Sequence, residues 1–165
     1  MLQVGIIGAG RIGRVHIQGI LTGVPGARIR GIAAPHLTEE IQSLARAAGA
    51  KVLTEDYREL LRDPEIDAVL ICSPTDTHAA ISIEAMEAGK HVFCEKPMAN
   101  DENECDEMIA ACKEAGVKLQ LGFMRRFDKS FRRGKEVIDS GAIGQVAMIK
   151  SNTYGPSEPK EWMYD

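Results

Sequence analysis

The sequence predicts an α/β protein built on a doubly wound parallel sheet, and three observations predict it. Short apolar runs alternate with amphipathic helical stretches from Leu2 to Gly122, joined by short connections. One of those runs, Ala68–Cys72, is nearly pure apolar, as a strand covered on both faces has to be. The first run ends in a cluster of glycines from which a helical pattern starts directly.

Taken in order, Leu2–Ile7 reads as a strand and Arg11–Leu21 as a helix carrying Ile12, Val15, Ile20 and Leu21. Ala27–Ala33 is the second strand, and a helix over Thr38–Ala48 follows, with Thr38 placed to cap its start. Lys51–Leu53 is a short strand. Tyr57–Leu61 is a turn or two of helix stopped by Asp63-Pro64. After the strand Ala68–Cys72, a helix over Thr77–Ala88 ends at Gly89. His91–Cys94 is the next strand, Asn103–Ala115 the next helix, closed by Gly116, and Lys118–Gly122 the next strand. Beyond Gly122 the pattern changes. Phe127–Ser140 reads as one more helix and Gly144–Tyr154 as a long strand with no crossover helix behind it; Gly155–Asp165 is irregular and rich in proline. This divides the chain into a domain over residues 1–123 and, over 124–165, a bridging helix with the start of a second domain. A long strand without neighbours leaves its edges open, so the reading predicts a homo-oligomer in which another copy supplies the pairing.

The 165 residues suffice for one well-buried domain and are too few for two ordinary ones. A hydrophobic fraction of 44% with 27% charged residues is that of a water-soluble globular chain. The net charge of -4 gives no reason to expect a nucleic-acid partner. Arg125, Arg126, Lys129, Arg132, Arg133 and Lys135 do cluster, but Phe127 and Phe131 interleave them at helical spacing, which makes a solvated helix face. No apolar run approaches the roughly 20 residues of a membrane span, and no basic segment precedes an apolar one at the N-terminus. Cys72, Cys94, Cys105 and Cys112 lack metal-ligand spacing, so free thiols in a reducing cytoplasm are expected, with no membrane partner and no metal site.

Gly8-Ala9-Gly10-Arg11-Ile12-Gly13 follows the first strand and opens the first helix. The spacing has a chemical reason. Gly8 permits the tight turn, Gly10 leaves room for a pyrophosphate to approach, and Gly13 lets helix and strand pack closely, while unpaired N–H groups at the helix start face the phosphates. An Asp or Glu normally ends the second strand and takes the adenosine ribose hydroxyls. Here the run is Gly31-Ile32-Ala33-Ala34-Pro35-His36, with Ala34 at that position. No arginine follows to receive a 2′-phosphate, although Arg28, Arg30 or His36 come near in sequence. NAD is the expected cofactor and NADP stays open.

Two further segments lie at carboxyl ends of strands, where open α/β sheets do their chemistry: Cys72-Ser73-Pro74-Thr75-Asp76-Thr77-His78 and Cys94-Glu95-Lys96-Pro97. Together with the glycine turn they resemble the glucose-fructose oxidoreductase / inositol dehydrogenase / rhizopine-catabolism (Gfo/Idh/MocA) family. Gly122-Phe123-Met124-Arg125-Arg126-Phe127-Asp128 is similar to the inositol 2-dehydrogenases within it. The resemblance implies a Rossmann domain followed by a larger antiparallel-sheet domain, and NAD(P)-linked oxidation of a ring hydroxyl on a small polyol or sugar. By position it implies that Gly8, Gly10, Arg11, Ile12 and Gly13 hold the pyrophosphate and that Ser73, Pro74, Thr75 and His78 line the nicotinamide ribose side. Glu95 and Pro97 would contact the cofactor, with Lys96–Pro97 cis and Lys96 the catalytic lysine. Arg125 would lie near the nicotinamide and Arg126 near the substrate. An ammonium aimed at a hydroxyl oxygen that turns negative as hydride leaves stabilises that charge and relays the proton, which suits Lys96. The plain alternatives are a surface lysine before Pro97 and a packed or capping His78.

The resemblance also implies a catalytic Asp and His after a Gly-Gly pair in the second domain, and a chain about twice as long. Glu161–Asp165 stands about where that segment is expected to begin. His16, His36 and His91, in a helix, a loop and a strand start, do not match the missing base. Two expectations follow: part of an inositol-dehydrogenase-like enzyme, or a dinucleotide-binding protein with a sensing role and no turnover.

Overall fold

Strand and helix alternate as β1 (Leu2–Ile7), α1 (Arg11–Gly23), β2 (Ala27–Ala33), α2 (Glu39–Ala48), β3 (Val52–Thr54) and α3 (Tyr57–Arg62). The series continues through β4 (Ala68–Ile71), α4 (His78–Glu87), β5 (His91–Cys94), α5 (Glu102–Ala115), β6 (Leu119–Leu121) and α6 (Lys129–Asp139). The computed structural model describes residues 1–152. The chain divides into two compact units, Met1–Phe123 and a smaller one that begins at Met124.

The first unit is a parallel sheet in the order β3-β2-β1-β4-β5-β6. Alternate residues of each strand point to opposite faces, so both faces must be apolar for the sheet to be covered twice. Val4 and Ile6 of β1 and Ile32 of β2 pack with Ile17 of α1 and with Ile41 and Ala45 of α2. Ile7 of β1, Val69 and Ile71 of β4 and Val92 of β5 pack on the other side with Leu60 of α3, with Ile81, Ala85 and Met86 of α4, and with Met108 of α5. Each isoleucine taken fully out of water contributes about 1.5–3 kcal/mol, and Ile6, Ile17, Ile32 and Ile71 are all of this kind.

At the amino edge of the sheet, polar groups are saturated. Asp63, just past α3, accepts from Arg30 Nε at 3.0 Å and from the Glu65 N–H at 2.9 Å. The buried Lys90 ammonium donates to the carbonyl oxygens of Asp63 and Ile66, both at 2.8 Å. Burial opposes the charged form of Asp63, but the Glu65 N–H and the Arg30 guanidinium outweigh it and hold the carboxyl below the usual carboxylate range.

The strand expected over Gly144–Tyr154 is not formed in its described part, residues 144–152. Val146, Met148 and Ile149 are exposed there. The reason is the absence of a ladder: among the described residues every strand belongs to the six-stranded sheet, and a β conformation without a partner leaves its N–H and C=O groups to water. Residues 153–154 and the Gly155–Asp165 stretch lie outside the described residues. The expected helix from Phe127 begins later, at Lys129, because Asp128 Oδ1 accepts from the N–H groups of Ser130 and Phe131 and so caps its start. Met124–Arg126 forms a separate 3-10 turn. Among the described residues no helix is long and apolar enough to cross a membrane, and no group of three or more His, Cys, Asp or Glu could hold a metal.

Two outcomes are expected. Burial, helped by the nearby Glu95 charge, pushes the Cys72 thiol up to about 12, and burial pushes Cys94 up to about 11. A thiol-specific disulfide reagent at pH 8 will therefore label only the half-buried Cys105 and Cys112 in the native chain and all four thiols in guanidinium; four fast native thiols would contradict the packing. Asp63→Asn will cost about 1–2 kcal/mol at neutral pH in urea melts. Because the folded-state carboxyl is depressed, its contribution is present above the unfolded value near pH 4 and is lost as pH falls through the folded one. The gap between the two proteins must narrow in acid; a gap of constant size would show that the charge is not what stabilises.

Candidate functional site

Five segments leave the carboxyl edge of the sheet held by one more ladder bond past their strands, the one after β2 by Ala34 N–H donating to Thr54 O at 3.0 Å. Gly8 N–H donates to Ala33 O at 2.8 Å, Cys72 N–H to Ile7 O at 2.8 Å, Glu95 N–H to Ile71 O at 3.0 Å and Gly122 N–H to Cys94 O at 2.8 Å. Between β1 and β4 the winding reverses, since β2 and β3 lie to one side of β1 and β4, β5 and β6 to the other. The loops of an open sheet separate at such a point and leave a crevice for a ligand.

The glycine turn stands on one wall of that crevice. Gly8 has φ +94°, and a Cβ on it would sit 2.7 Å from the Cys72 carbonyl and the Ser73 nitrogen. A Cβ on Gly13 would fall 2.0 Å from Gly8 O, so α1 crosses β1 at a distance that only glycine allows. A Cβ on Gly10 meets nothing within 4 Å: that position is open to solvent, with the exposed Arg11 and half-buried Ile12 beside it. Side-chain oxygens of Thr38, Asp56, Asp101 and Asp128 cap α2, α3, α5 and α6. Helices α1 and α4 have no side-chain cap, and both begin at this carboxyl edge. The first N–H groups of α1 are unmatched within the helix and point a partial positive charge outward, whereas α4 continues a 3-10 turn over Thr75–Thr77 whose Thr75 O accepts the His78 N–H. A cradle that a Cβ would fill, an open glycine and an uncapped helix fit a dinucleotide pyrophosphate.

Ala34 follows the last residue of β2 at the same edge. It is buried in the cluster that includes Ile41 and Ala45 of α2, so the position where an acid is usual belongs here to the apolar core. Of the basic residues near it in sequence, Arg30 is engaged by Asp63 and Glu65. Arg28 is the second residue of β2, opposite Gln3, and lies toward the amino edge of the sheet. Neither reaches the carboxyl edge, because strand direction carries them away from it. Two cations stand by the glycine turn: the exposed Arg11, and Arg14, whose Nε donates to Ala9 O at 3.1 Å while its guanidinium pairs with Glu40 of α2.

Across the crevice, Ser73 and Thr75 are half-buried and Pro74 exposed, and Thr77 Oγ1 lies 2.7 Å from both Ser73 Oγ and Pro74 O. His78 is buried, and its ring nitrogens face two carbonyl oxygens, Nδ1 at 2.8 Å from Pro97 O and Nε2 at 3.0 Å from Ser73 O. Lys96 is exposed, and its bond to the exposed Pro97 is cis. The Glu95 side chain turns inward: Oε1 accepts from His16 Nε2 at 2.7 Å and Oε2 from the Lys96 N–H at 3.1 Å. A Cβ on Gly122 would lie 3.0 Å from that carboxylate, which is why a glycine ends this strand. His16 is a site residue that sequence reasoning passed over; its signal was a polar side chain three residues after Gly13, on the helix flank turned to the sheet. Its ring also meets Phe93 edge-on, with centroids 5.2 Å apart.

Arg125 and Arg126 belong to the second unit. There the Arg125 guanidinium stacks over Phe131 at 4.9 Å and lies 4.0 Å from Asp128 Oδ2, and Arg126 is exposed.

The glycines separate packing from binding. Gly13→Ala must shift backbone and is expected to cost about 1–3 kcal/mol in urea melts. Gly10→Ala should leave the melt within about 0.5 kcal/mol of the parent while weakening NADH binding. A stable Gly13→Ala protein would contradict the close approach at Gly8.

The family model for the oxidoreductase family with an NAD-binding Rossmann fold matches residues 2–123. An uncharacterized oxidoreductase of Bacillus subtilis, YrbE, is 44% identical over 94% of this chain and 45% of its own length. Myo-inositol 2-dehydrogenase of Thermotoga maritima is 36% identical over 96% of this chain and 47% of its own length. The crystal structure of scyllo-inositol dehydrogenase from Lactobacillus casei with bound NAD(H) and scyllo-inositol superposes with a TM-score of 0.82 at 34% identity, over 87% of this chain and 42% of that one. The chain thus spans about half the length of the curated relatives it matches. A parallel sheet wound from a glycine turn, with the same family signature along it, places this chain in the Gfo/Idh/MocA oxidoreductases, the family with an NAD-binding Rossmann fold.

Proposed function

We propose that this chain is the NAD-binding part of a dehydrogenase that oxidises a ring hydroxyl of an inositol or a related polyol. The observation that carries the reading is the uncapped start of α1 behind an open Gly10, with an exposed Lys96 just past β5 at the same carboxyl edge. The inositol dehydrogenases among its relatives support the substrate class.

When bound, NAD supplies the hydride acceptor. Gly8, Gly10, Arg11, Ile12 and Gly13 would hold its pyrophosphate, Ser73, Pro74, Thr75 and Pro97 would border the nicotinamide ribose, and Arg125 and Arg126 would serve nicotinamide and substrate. The Lys96 ammonium, placed by a strand end, stabilises the oxygen from which the proton departs. NAD is preferred over NADP because Arg30 is engaged at the other edge and the Arg14 charge is met by Glu40. Residues 124–165 would be a bridging helix and the start of a substrate and oligomerisation domain. The exposed run Val146, Met148 and Ile149 supports assembly into a homo-oligomer, and the free thiols support a cytoplasmic location. The buried Ala34 favours a second reading, a dinucleotide-binding protein without turnover, since it removes the usual ribose contact.

Calorimetric titration tests this directly. NADH is expected to bind saturably and about tenfold tighter than NADPH, the worth of one unfavourable charge contact; absence of binding by either would overturn the reading. Lys96→Met is expected to keep NADH affinity within a few-fold and to lower any polyol oxidation about 100-fold or more. Oxidation unchanged in that variant would remove Lys96 from the chemistry, and none by a chain extended through the second domain would favour the second reading.

A further inference from the structure

Lys96 occupies the middle of a three-residue segment whose two flanking residues are each held by a histidine. On one side His16 Nε2 lies 2.7 Å from Glu95 Oε1, and the other oxygen of that carboxylate accepts the Lys96 N–H itself at 3.1 Å. On the other side His78 Nδ1 lies 2.8 Å from Pro97 O. The two histidines come from different places: His16 from the second turn of α1, directly behind the glycine turn, and His78 from the first turn of α4, directly behind the Ser73 loop, to whose carbonyl its Nε2 is also bound at 3.0 Å.

We propose that His16 and His78 are a pair of positioning residues that register the Lys96 segment against the two cofactor-holding walls of the crevice, one wall each. The inference rests on the functional reading above and adds two residues to it. Each contact spans a long stretch of chain, 79 residues for His16–Glu95 and 19 for His78–Pro97, so neither is a by-product of local geometry. Ladder bonds fix the segment only as far as Glu95 N–H; past that point the Cys94 thiol reaches Glu95 O at 3.3 Å and Met98 O at 3.9 Å, and the two rings supply the side-chain contacts from the cofactor-holding walls. The carboxylate is an acceptor only, so the His16 tautomer that pairs with it carries its proton on Nε2. His78 faces two acceptors, and an imidazolium donates to both where a neutral ring donates to one. Glu95 is thereby a relay: its side chain is 12% exposed and filled by His16, the Lys96 amide and the flank of Gly122. Placement of a catalytic group to within a fraction of an ångström by such supporting contacts is what a preorganised site requires.

The Lys96 amide resonance in a proton–nitrogen correlation spectrum of the labelled chain reports the segment without any cofactor. His16→Ala is expected to move or broaden it, and His16→Gln, whose amide reaches about as far as Nε2, to restore it. His78→Asn keeps a donor toward Pro97 and is expected to disturb Lys96 less than His78→Gln, which keeps one toward Ser73. These conservative variants retain polar groups in place, so loss of folding does not decide the result. If Lys96 stays in place in His16→Ala, or responds alike to the two His78 variants, the pair does not position it. In calorimetry His16→Ala should weaken NADH binding roughly tenfold, the loss of one charge-assisted hydrogen bond. Equal affinity would overturn the coupling to the cofactor. A parent chain that binds no NADH sinks the functional reading, yet leaves the spectroscopic test of the pair intact.

Discussion

The parallel ladder and its one-residue extension past each strand organise everything at the carboxyl edge. Parallel pairing fixes neighbouring strands in slanted register. The N–H groups of Gly8, Ala34, Cys72, Glu95 and Gly122 each take one more carbonyl from the adjacent strand, so five loops set out from a common, rigid line. Without that line neither the approach of Gly13 to Gly8 nor the burial of Glu95 against Gly122 would hold its geometry. The site is thus a property of the sheet first and of its side chains second.

Much of the fold was legible because strand and helix obey different periods and the caps have chemical signatures. Thr38, Gly89 and Gly116 mark helix ends where a hydroxyl or a left-handed glycine is needed. The glycine turn was legible for the same reason, since its three glycines answer three separate steric demands. The segment after Gly141 was misread because Val146, Met148 and Ile149 show strand composition, and composition does not supply a partner. Within the site, Lys96 and His78 were named from the family resemblance, in segments that lie at strand ends. His16 was not, because its local mark, a polar side chain three residues after Gly13, names no partner; what gives it a role is a carboxylate 79 residues away.

Glu95 shows how a residue of a recognised motif takes its meaning from packing. Position in the motif suggested an arm reaching out to a cofactor, whereas its carboxylate is folded in among His16, the Lys96 amide and Gly122. Its charge also bears on the thiols of Cys72 and Cys94. A carboxylate held this way organises a segment through its own neighbour's backbone, and the exposed lysine beside it is left free to meet a ligand.

The two edges of the sheet differ in kind. At the amino edge Lys90, Arg30 and Asp63 spend their hydrogen bonds on one another and on loop carbonyls. At the carboxyl edge α1 begins bare, behind an open glycine. Heritable change should therefore fall into two streams. Drift at one edge is filtered by whether the chain folds, and drift at the other by what it holds. A lineage can exchange one small polar ligand for another while its folding machinery stays untouched, which is how a single architecture comes to be shared among many chemistries.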